Sequence, residues 1–254
     1  MKQRIISGIL IAAITVAVVW FGGLLLDAML LFIGLYGSYE FIKIRKDTFN
    51  VSLYCILAAT VLLQLFLHQY EVSIMLLEII VLLALAVFDE RETFDDISAV
   101  FLMSMILGNA VYFMRYLQHL DKFLFAYVLI ISYITDVFAY FVGRAFGKHK
   151  LNERVSPKKT IEGSIGGWLF GCAASLGWAA LFHFFGLDSR IIILASVLLP
   201  LVSQIGDLSF SLIKRHYGVK DFSDLIPGHG GILDRLDSHI FCIILFGALM
   251  LILL

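Results

Sequence analysis

Apolar residues run along this chain in stretches of roughly 17 to 25 positions, the length an α-helix needs to cross a hydrocarbon core of about 30 Å. Nine such stretches can be read, at about 5–21, 24–42, 51–67, 72–88, 97–114, 123–143, 164–185, 189–212 and 238–254. Short polar breaks part them, with "FGG" at 21–23 making the first tight turn and "HQYE" at 68–71 the next. The pattern predicts an all-α, polytopic integral membrane protein with about nine transmembrane helices. No internal repeat or low-complexity tract interrupts it, so 1–254 reads as a single transmembrane domain. Its parts are N-terminal helices over 5–143, C-terminal helices over 164–254, and two long polar loops at 144–163 and 213–237. The opening "MKQR" precedes an apolar run without an AxA-like cleavage site, and a second run follows at once, which predicts an uncleaved first span.

Composition agrees with the pattern. The 254 residues are 61% hydrophobic and 15% charged, with a mean hydropathy of +0.95, which excludes an ordinary soluble domain. The net charge of −1 says little, because the charges are segregated. Of the 19 Lys and Arg, 16 fall on one side of the predicted membrane: Lys2 and Arg4, those of 43–46, Arg91, and those of 144–159 and 214–235. Only Arg115, Lys122 and Arg190 fall on the other. The positive-inside rule makes the first side cytoplasmic. The N-terminus is then inside, the C-terminus outside, and both long loops meet the cytosol. Cys55, Cys172 and Cys242 each stand alone in an apolar run and read as small buried hydrophobes, with no disulfide framework or structural zinc.

Carboxylates inside the spans change the picture most, since one at a span centre costs about 2.5–3.5 kcal/mol and is rarely kept without a role. Ser203, Asp207, Ser211 and Lys214 are spaced to form one polar stripe on a helix. Seven residues of rise place Asp207 about 10 Å below Lys214. Pro200 removes a helix hydrogen bond nearby and is expected to open the helix. Ser132, Asp136, Tyr140 and Gly143 repeat the pattern, with Arg144 at the interface about 12 Å away. Asp234 and Asp237, three apart, share a face at the start of the last span. Singly, each aspartate also fits a helix cap, a partner for a buried Lys, or an ion relay. Together, at one depth beside two basic loops, they read as ligands for a hard divalent cation such as Mg²⁺. Asp27 and Glu78 fall in the outer half and read as pairing or packing residues.

The loops supply the opposite charge. In "RAFGKHKLNERVSPKKTIEG", Lys158 and Lys159 stand beside the hydroxyls of Ser156 and Thr160. Pro157 suits the first position of a helix capped by Ser156, whose free N–H groups with the lysines would make a phosphate site. The alternative is a basic loop resting on anionic lipid. In "KRHYGVKDFSDLIPGHGGILDRLD", Lys214, Arg215, Lys220 and Arg235 can neutralise phosphates. Gly228, Gly230 and Gly231 allow positive φ and close approach of backbone to a ligand. His229 fits either a phosphate contact or proton transfer, or a hydrogen-bonded structural role.

The stretch "SLIKRHYGVKDFSDLIPGHGGILDRLD", 211–237, resembles the signature of the phosphatidate cytidylyltransferases, or CDP-diglyceride synthases. Ser211, Lys214, Arg215, Lys220, Asp221, Ser223, Pro227, His229, Gly230, Gly231, Asp234, Arg235 and Asp237 fill it without a gap. "DVFAYFVGRAFGKHK" and "SPKKTIEG" are also similar to the family. The resemblance covers 132–237 by motif and the whole chain by length and span count. It implies transfer of CMP from CTP to phosphatidate, giving CDP-diacylglycerol and pyrophosphate, with Mg²⁺ required and a second ion such as K⁺ admitted. It further implies a homodimer in the bacterial inner membrane, with membrane lipid as surroundings and no nucleic-acid partner.

On that basis Asp207 and Asp234 are expected to hold metal, with Asp136 and Asp237 beside them. Lys214, Arg215, Lys220, Asp221, His229 and Arg235 join them as the catalytic set. Arg144, Ser156, Lys158, Lys159, Thr160, Ser211, Gly230 and Gly231 are expected to bind phosphates. An ion-coupled transporter would also use intramembrane carboxylates at a helix break, but has no need of the basic glycine loop. A CDP-alcohol phosphotransferase would need an Asp-Gly-x-x-Ala-Arg element, and no "DG" occurs in the chain.

Overall fold

The computed structural model describes residues 2–45, 49–182, 184, 187–226 and 228–253, with side chains from residue 7 onward. Lys46 and Pro227, and the side chains of Lys2 and Arg4, lie outside the described residues. Each predicted apolar stretch is a helix: α1 (Lys2–Phe21), α2 (Gly23–Arg45), α3 (Val51–Leu67), α4 (Glu71–Phe88), α5 (Phe94–Leu120), α6 (Lys122–Phe146), α7 (Ile161–Phe182), α8 (Ser189–His216) and α9 (Leu233–Leu253). Among the described residues, seven segments are long and apolar enough to cross a bilayer, with α3 and α4 taken as one continuous stretch, Val51–Phe88. The protein is an all-α polytopic membrane protein. The described residues also include a two-stranded antiparallel hairpin of β1 (Lys150–Asn152) and β2 (Ser156–Thr160).

Two compact units form, one of Met1–Tyr116 with Asp221–Leu233 and one of Leu117–Lys220 with Asp234–Leu254. In the first, Leu26, Leu30 and Ile33 of α2 and Leu53, Leu57, Val61 and Leu65 of α3 recur at helical spacing and are buried. Asp27 is paired with Arg115 at 2.8 Å, and Glu78 accepts a hydrogen bond from Ser104 Oγ at 2.8 Å. Asp27 and Glu78 are therefore held by partners within this unit.

The second unit packs α6 against α7 and α8, and α7 against α8. Gly163, Gly166, Gly167 and Gly171 form one face of α7. A Cβ at Gly163 would lie 2.6 Å from the Ala139 carbonyl, and one at Gly167 would lie 2.6 Å from the Thr135 carbonyl. Small residues let helices approach closely where lipid offers no hydrophobic drive for association.

Pro200 does not open α8, which runs through it unbroken. A proline frees the carbonyl four residues earlier. Here Ser175 Oγ donates to the Ser196 carbonyl at 3.3 Å, and Trp168 Nε1 donates to the neighbouring Val197 carbonyl at 3.0 Å. Donors on α7 thus replace the lost bond, and the helix holds its course toward Asp207.

Candidate active site

Helix α8 carries the polar stripe as the sequence predicts. Ser203 is hydrogen-bonded to Ser132 of α6 at 3.1 Å, Ser211 Oγ donates to Asp207 at 3.4 Å, and Lys214 is buried one turn further on. Two ion pairs tie other elements to this stripe. Lys159 Nζ of β2 meets Asp207 at 2.5 Å, and Lys214 Nζ meets Asp234 of α9 at 2.6 Å. The second pair is the more enclosed, its side chains 8% and 3% exposed against 23% and 28% for the first.

Two further carboxylates join them. Asp136 of α6 lies within electrostatic range of Asp207, Lys159 and Arg235, with the Ser238 hydroxyl nearby. Asp237 of α9 lies within range of Asp207, Lys214 and Asp136. Carboxylates from α6, α8 and α9 therefore lie in one electrostatic neighbourhood with Lys159, Lys214 and Arg235.

The end of α8 is shaped to release the chain at this point. Val219 N donates to the Lys214 carbonyl at 2.9 Å and Gly218 N to the Arg215 carbonyl at 3.2 Å, with Gly218 at φ 70°. That is a Schellman termination, which needs a left-handed residue and so a glycine. Arg215, exposed, donates to the Val219 carbonyl at 2.8 Å. Lys220 is exposed as well.

The 144–163 loop differs from expectation. Ser156 caps no helix and Pro157 opens none, because Ser156–Thr160 is strand β2. The cap of α7 is Thr160, whose Oγ1 accepts from Gly163 N at 3.1 Å. Proline is tolerated on such an edge strand. Strand alternation then separates the two lysines, with Lys158 exposed and Lys159 turned inward to Asp207. Glu162 braces the segment that leads into β1, accepting from His149 Nδ1 at 2.6 Å and from the Lys148 and His149 amides at 3.0 and 3.2 Å. Lys150 Nζ donates to the Pro157 carbonyl at 2.7 Å. Arg144 is exposed and reaches Tyr140 OH at 3.3 Å.

The remaining signature residues belong to the first unit. Asp221 is exposed. His229 is hydrogen-bonded through Nδ1 to Ser7 Oγ at 2.7 Å. Gly230, at φ 84°, pairs with Ile226 in an isolated β-bridge. Gly231 has an ordinary φ, and its need for glycine is spatial, because any Cβ there would strike the carboxylate of Glu40.

Glu40 is the residue the sequence reading missed. Fully buried in α2, it accepts from Ser223 Oγ at 2.5 Å and from the Ile232 and Leu233 amides, both at 2.9 Å. It thereby satisfies the first free N–H groups of α9, as an N-cap would. The available signal was a glutamate inside the apolar run "GSYEFIK".

Among the described residues, no three His, Cys, Asp or Glu side chains assemble into a self-sufficient metal site. The donors at hand are hard carboxylates and hydroxyls, the chemistry of Mg²⁺, which takes one or two protein carboxylates and fills its shell from water and phosphate. A sparse set of this kind fits that ion better than Zn²⁺, which favours Cys and His.

A helical membrane protein with two such lysine–aspartate pairs carries charges suited to the class of anionic, phosphate-bearing groups. Known proteins narrow the class. The sequence pattern of the cytidylyltransferase family matches residues 2–253. A phosphatidate cytidylyltransferase of Bacillus subtilis (strain 168) is 32% identical over 258 residues, covering 95% of this chain and 94% of the other. One of Staphylococcus aureus (strain COL) is 32% identical over 261 residues, 99% of each. One of Staphylococcus haemolyticus reaches 44% over 126 residues, 49% of this chain and 48% of the other. The chain belongs to the cytidylyltransferase family, and it is a nucleotidyltransferase.

Proposed function

We propose that the protein transfers CMP from CTP to phosphatidate, forming CDP-diacylglycerol and pyrophosphate. A phosphate oxygen of phosphatidate attacks the α-phosphorus of CTP in line. The new P–O bond forms as the bond between the α-phosphorus and the bridging α,β oxygen breaks, and pyrophosphate leaves. The attacking phosphomonoester is already anionic at neutral pH, so no side-chain nucleophile and no covalent enzyme intermediate are required.

The residues' task is to bring two polyanions together. Lys159 and Lys214 are held in place by their aspartates and exchange part of that partnership for substrate phosphates. Arg235, exposed on α9, receives the lipid phosphate, and Arg144, Lys158, Arg215 and Lys220 attract the triphosphate. Asp207 and Asp234, with Asp136 and Asp237 beside them, would hold Mg²⁺, which when bound neutralises charge on the phosphates. The distribution of Lys and Arg supports loops 144–163 and 213–237 facing the cytoplasm in a bacterial inner membrane, where CTP is available.

The observation that carries this reading is the pair of lysine–aspartate contacts, 159–207 and 214–234, in a chain of this family. The test is incubation of purified protein with α-labelled CTP, phosphatidate and Mg²⁺. Label is expected in the lipid extract with release of pyrophosphate. Label confined to the aqueous phase at saturating substrate would refute the reading.

A further inference from the structure

Helix α9 begins at Leu233, after Gly230, Gly231 and Ile232. None of those three has a side-chain acceptor for the free N–H groups of a first turn. The acceptor comes from α2 instead. Glu40, fully buried, takes the Ile232 amide on Oε1 and the Leu233 amide on Oε2, both at 2.9 Å. Its Oε1 also accepts from Ser223 Oγ at 2.5 Å. One carboxylate thus gathers both ends of the 223–233 segment. Within that segment the Ile226 amide donates to the Gly230 carbonyl at 2.9 Å, and His229 is tied to Ser7 of α1. Gly231 lies against the same carboxylate, where any Cβ would strike it.

Asp234 follows Leu233 directly, in the turn that a helix loses first when its leading N–H groups go unmet. We propose that Glu40 is a positioning residue for the reaction. By capping α9 from another helix it fixes the turn that carries Asp234, and, being fully buried, it acts only through that turn. The inference rests on the cytidylyltransferase reading, in which Asp234 holds Mg²⁺ beside Lys214, and adds to it a residue from the N-terminal helices. A carboxylate suits the task because both its oxygens accept and its charge stands at the positive end of a helix. Glutamine keeps one oxygen and turns an NH₂ toward one of the donors. Leucine keeps the bulk and removes every acceptor. A displacement of about 1 Å at reacting groups costs about a hundredfold in rate, so a loosened first turn is felt in turnover even where the fold survives.

The experiment compares full-length wild type, Glu40→Gln and Glu40→Leu in detergent, by hydrogen–deuterium exchange and by the labelled-CTP assay with Mg²⁺ varied. In Glu40→Leu, peptides spanning 223–236 are expected to exchange at least about tenfold faster while those of α8 keep wild-type rates. kcat should fall about tenfold to a hundredfold, and the Mg²⁺ concentration for half-maximal rate should rise severalfold. Glu40→Gln should show the same changes to a smaller extent, and covers the case in which the leucine variant does not fold. A merely structural role would lower the folded fraction and leave the Mg²⁺ requirement as it is. Wild-type exchange in 223–236, faster exchange in every helix alike, or wild-type kcat and Mg²⁺ dependence in both variants would overturn the assignment. Wild type that leaves no label in lipid would refute the reaction instead, and the exchange rates would still decide whether Glu40 holds the turn.

Discussion

At the scale of single residues, the two lysine–aspartate pairs are similar in contact and different in consequence. Lys214 and Asp234 are almost fully enclosed, whereas Lys159 and Asp207 are about a quarter exposed. Removing one partner of an enclosed pair strands a charge, at about 3–5 kcal/mol, while replacing both with apolar groups is often neutral. In the Lys159–Asp207 pair the exposure lies on the side-chain stem and the carboxylate, while Lys159 Nζ itself is buried, so its loss falls between that of an enclosed pair and a surface one. Asp207→Asn is therefore expected to cost less stability than Asp234→Asn yet lose activity at least about a hundredfold, as loss of a transition-state charge contact does. Asp234→Asn should lose both activity and stability, and the double variant Lys214→Met with Asp234→Leu should recover stability without activity. Thermal unfolding in detergent alongside the labelled-CTP assay separates the three. Equal stability losses in Asp207→Asn and Asp234→Asn would show that burial does not set the difference.

At the scale of elements, the site depends on how closely α6 and α7 approach, because α6 carries Asp136 and α7 continues the hairpin that carries Lys159. Gly167 has the Thr135 carbonyl and Ala139 within 3 Å of where a Cβ would stand, whereas Gly177 has nothing within 4 Å. Gly167→Leu should thus cost about 1–3 kcal/mol through overpacking and lower activity by moving Asp136. Gly177→Ala should be neutral or slightly stabilising, since alanine is the better helix former. Unfolding midpoints of the two variants check this, and the idea fails if both behave alike. The hairpin also marks a limit of reading by pattern. "SPKKT" begins with residues that start helices, since Ser at the cap and Pro at the first helical position are favoured by local rules. What decides for strand is Thr160, which can cap α7 itself, together with pairing to Lys150–Asn152 across a turn in which Asn152 Oδ1 accepts from Val155 N. Those are tertiary facts without a local periodicity.

At the scale of the whole molecule, the helices of the described residues were legible because each is a run of consecutive apolar residues, seven segments being long enough to cross a bilayer. The stripe of Ser203, Asp207, Ser211 and Lys214 was legible for the same reason, as helical spacing is local. Glu40 was not, because its partners lie 183 to 193 residues away and two of them are backbone amides that no side-chain pattern encodes. Orientation is the one global property that charge alone predicts. With 16 of the 19 Lys and Arg on one side, inversion would carry both long basic loops across the membrane, against the bias that sets topology. Single cysteines at Arg154 in the hairpin and Ser189 at the start of α8, in a background lacking Cys55, Cys172 and Cys242, should react from opposite sides of sealed right-side-out vesicles. An impermeant thiol reagent added outside is expected to label Ser189→Cys at once and Arg154→Cys only after permeabilisation. The reverse order would put the lysine–aspartate cluster on the side without CTP, and the proposed reaction could not proceed there.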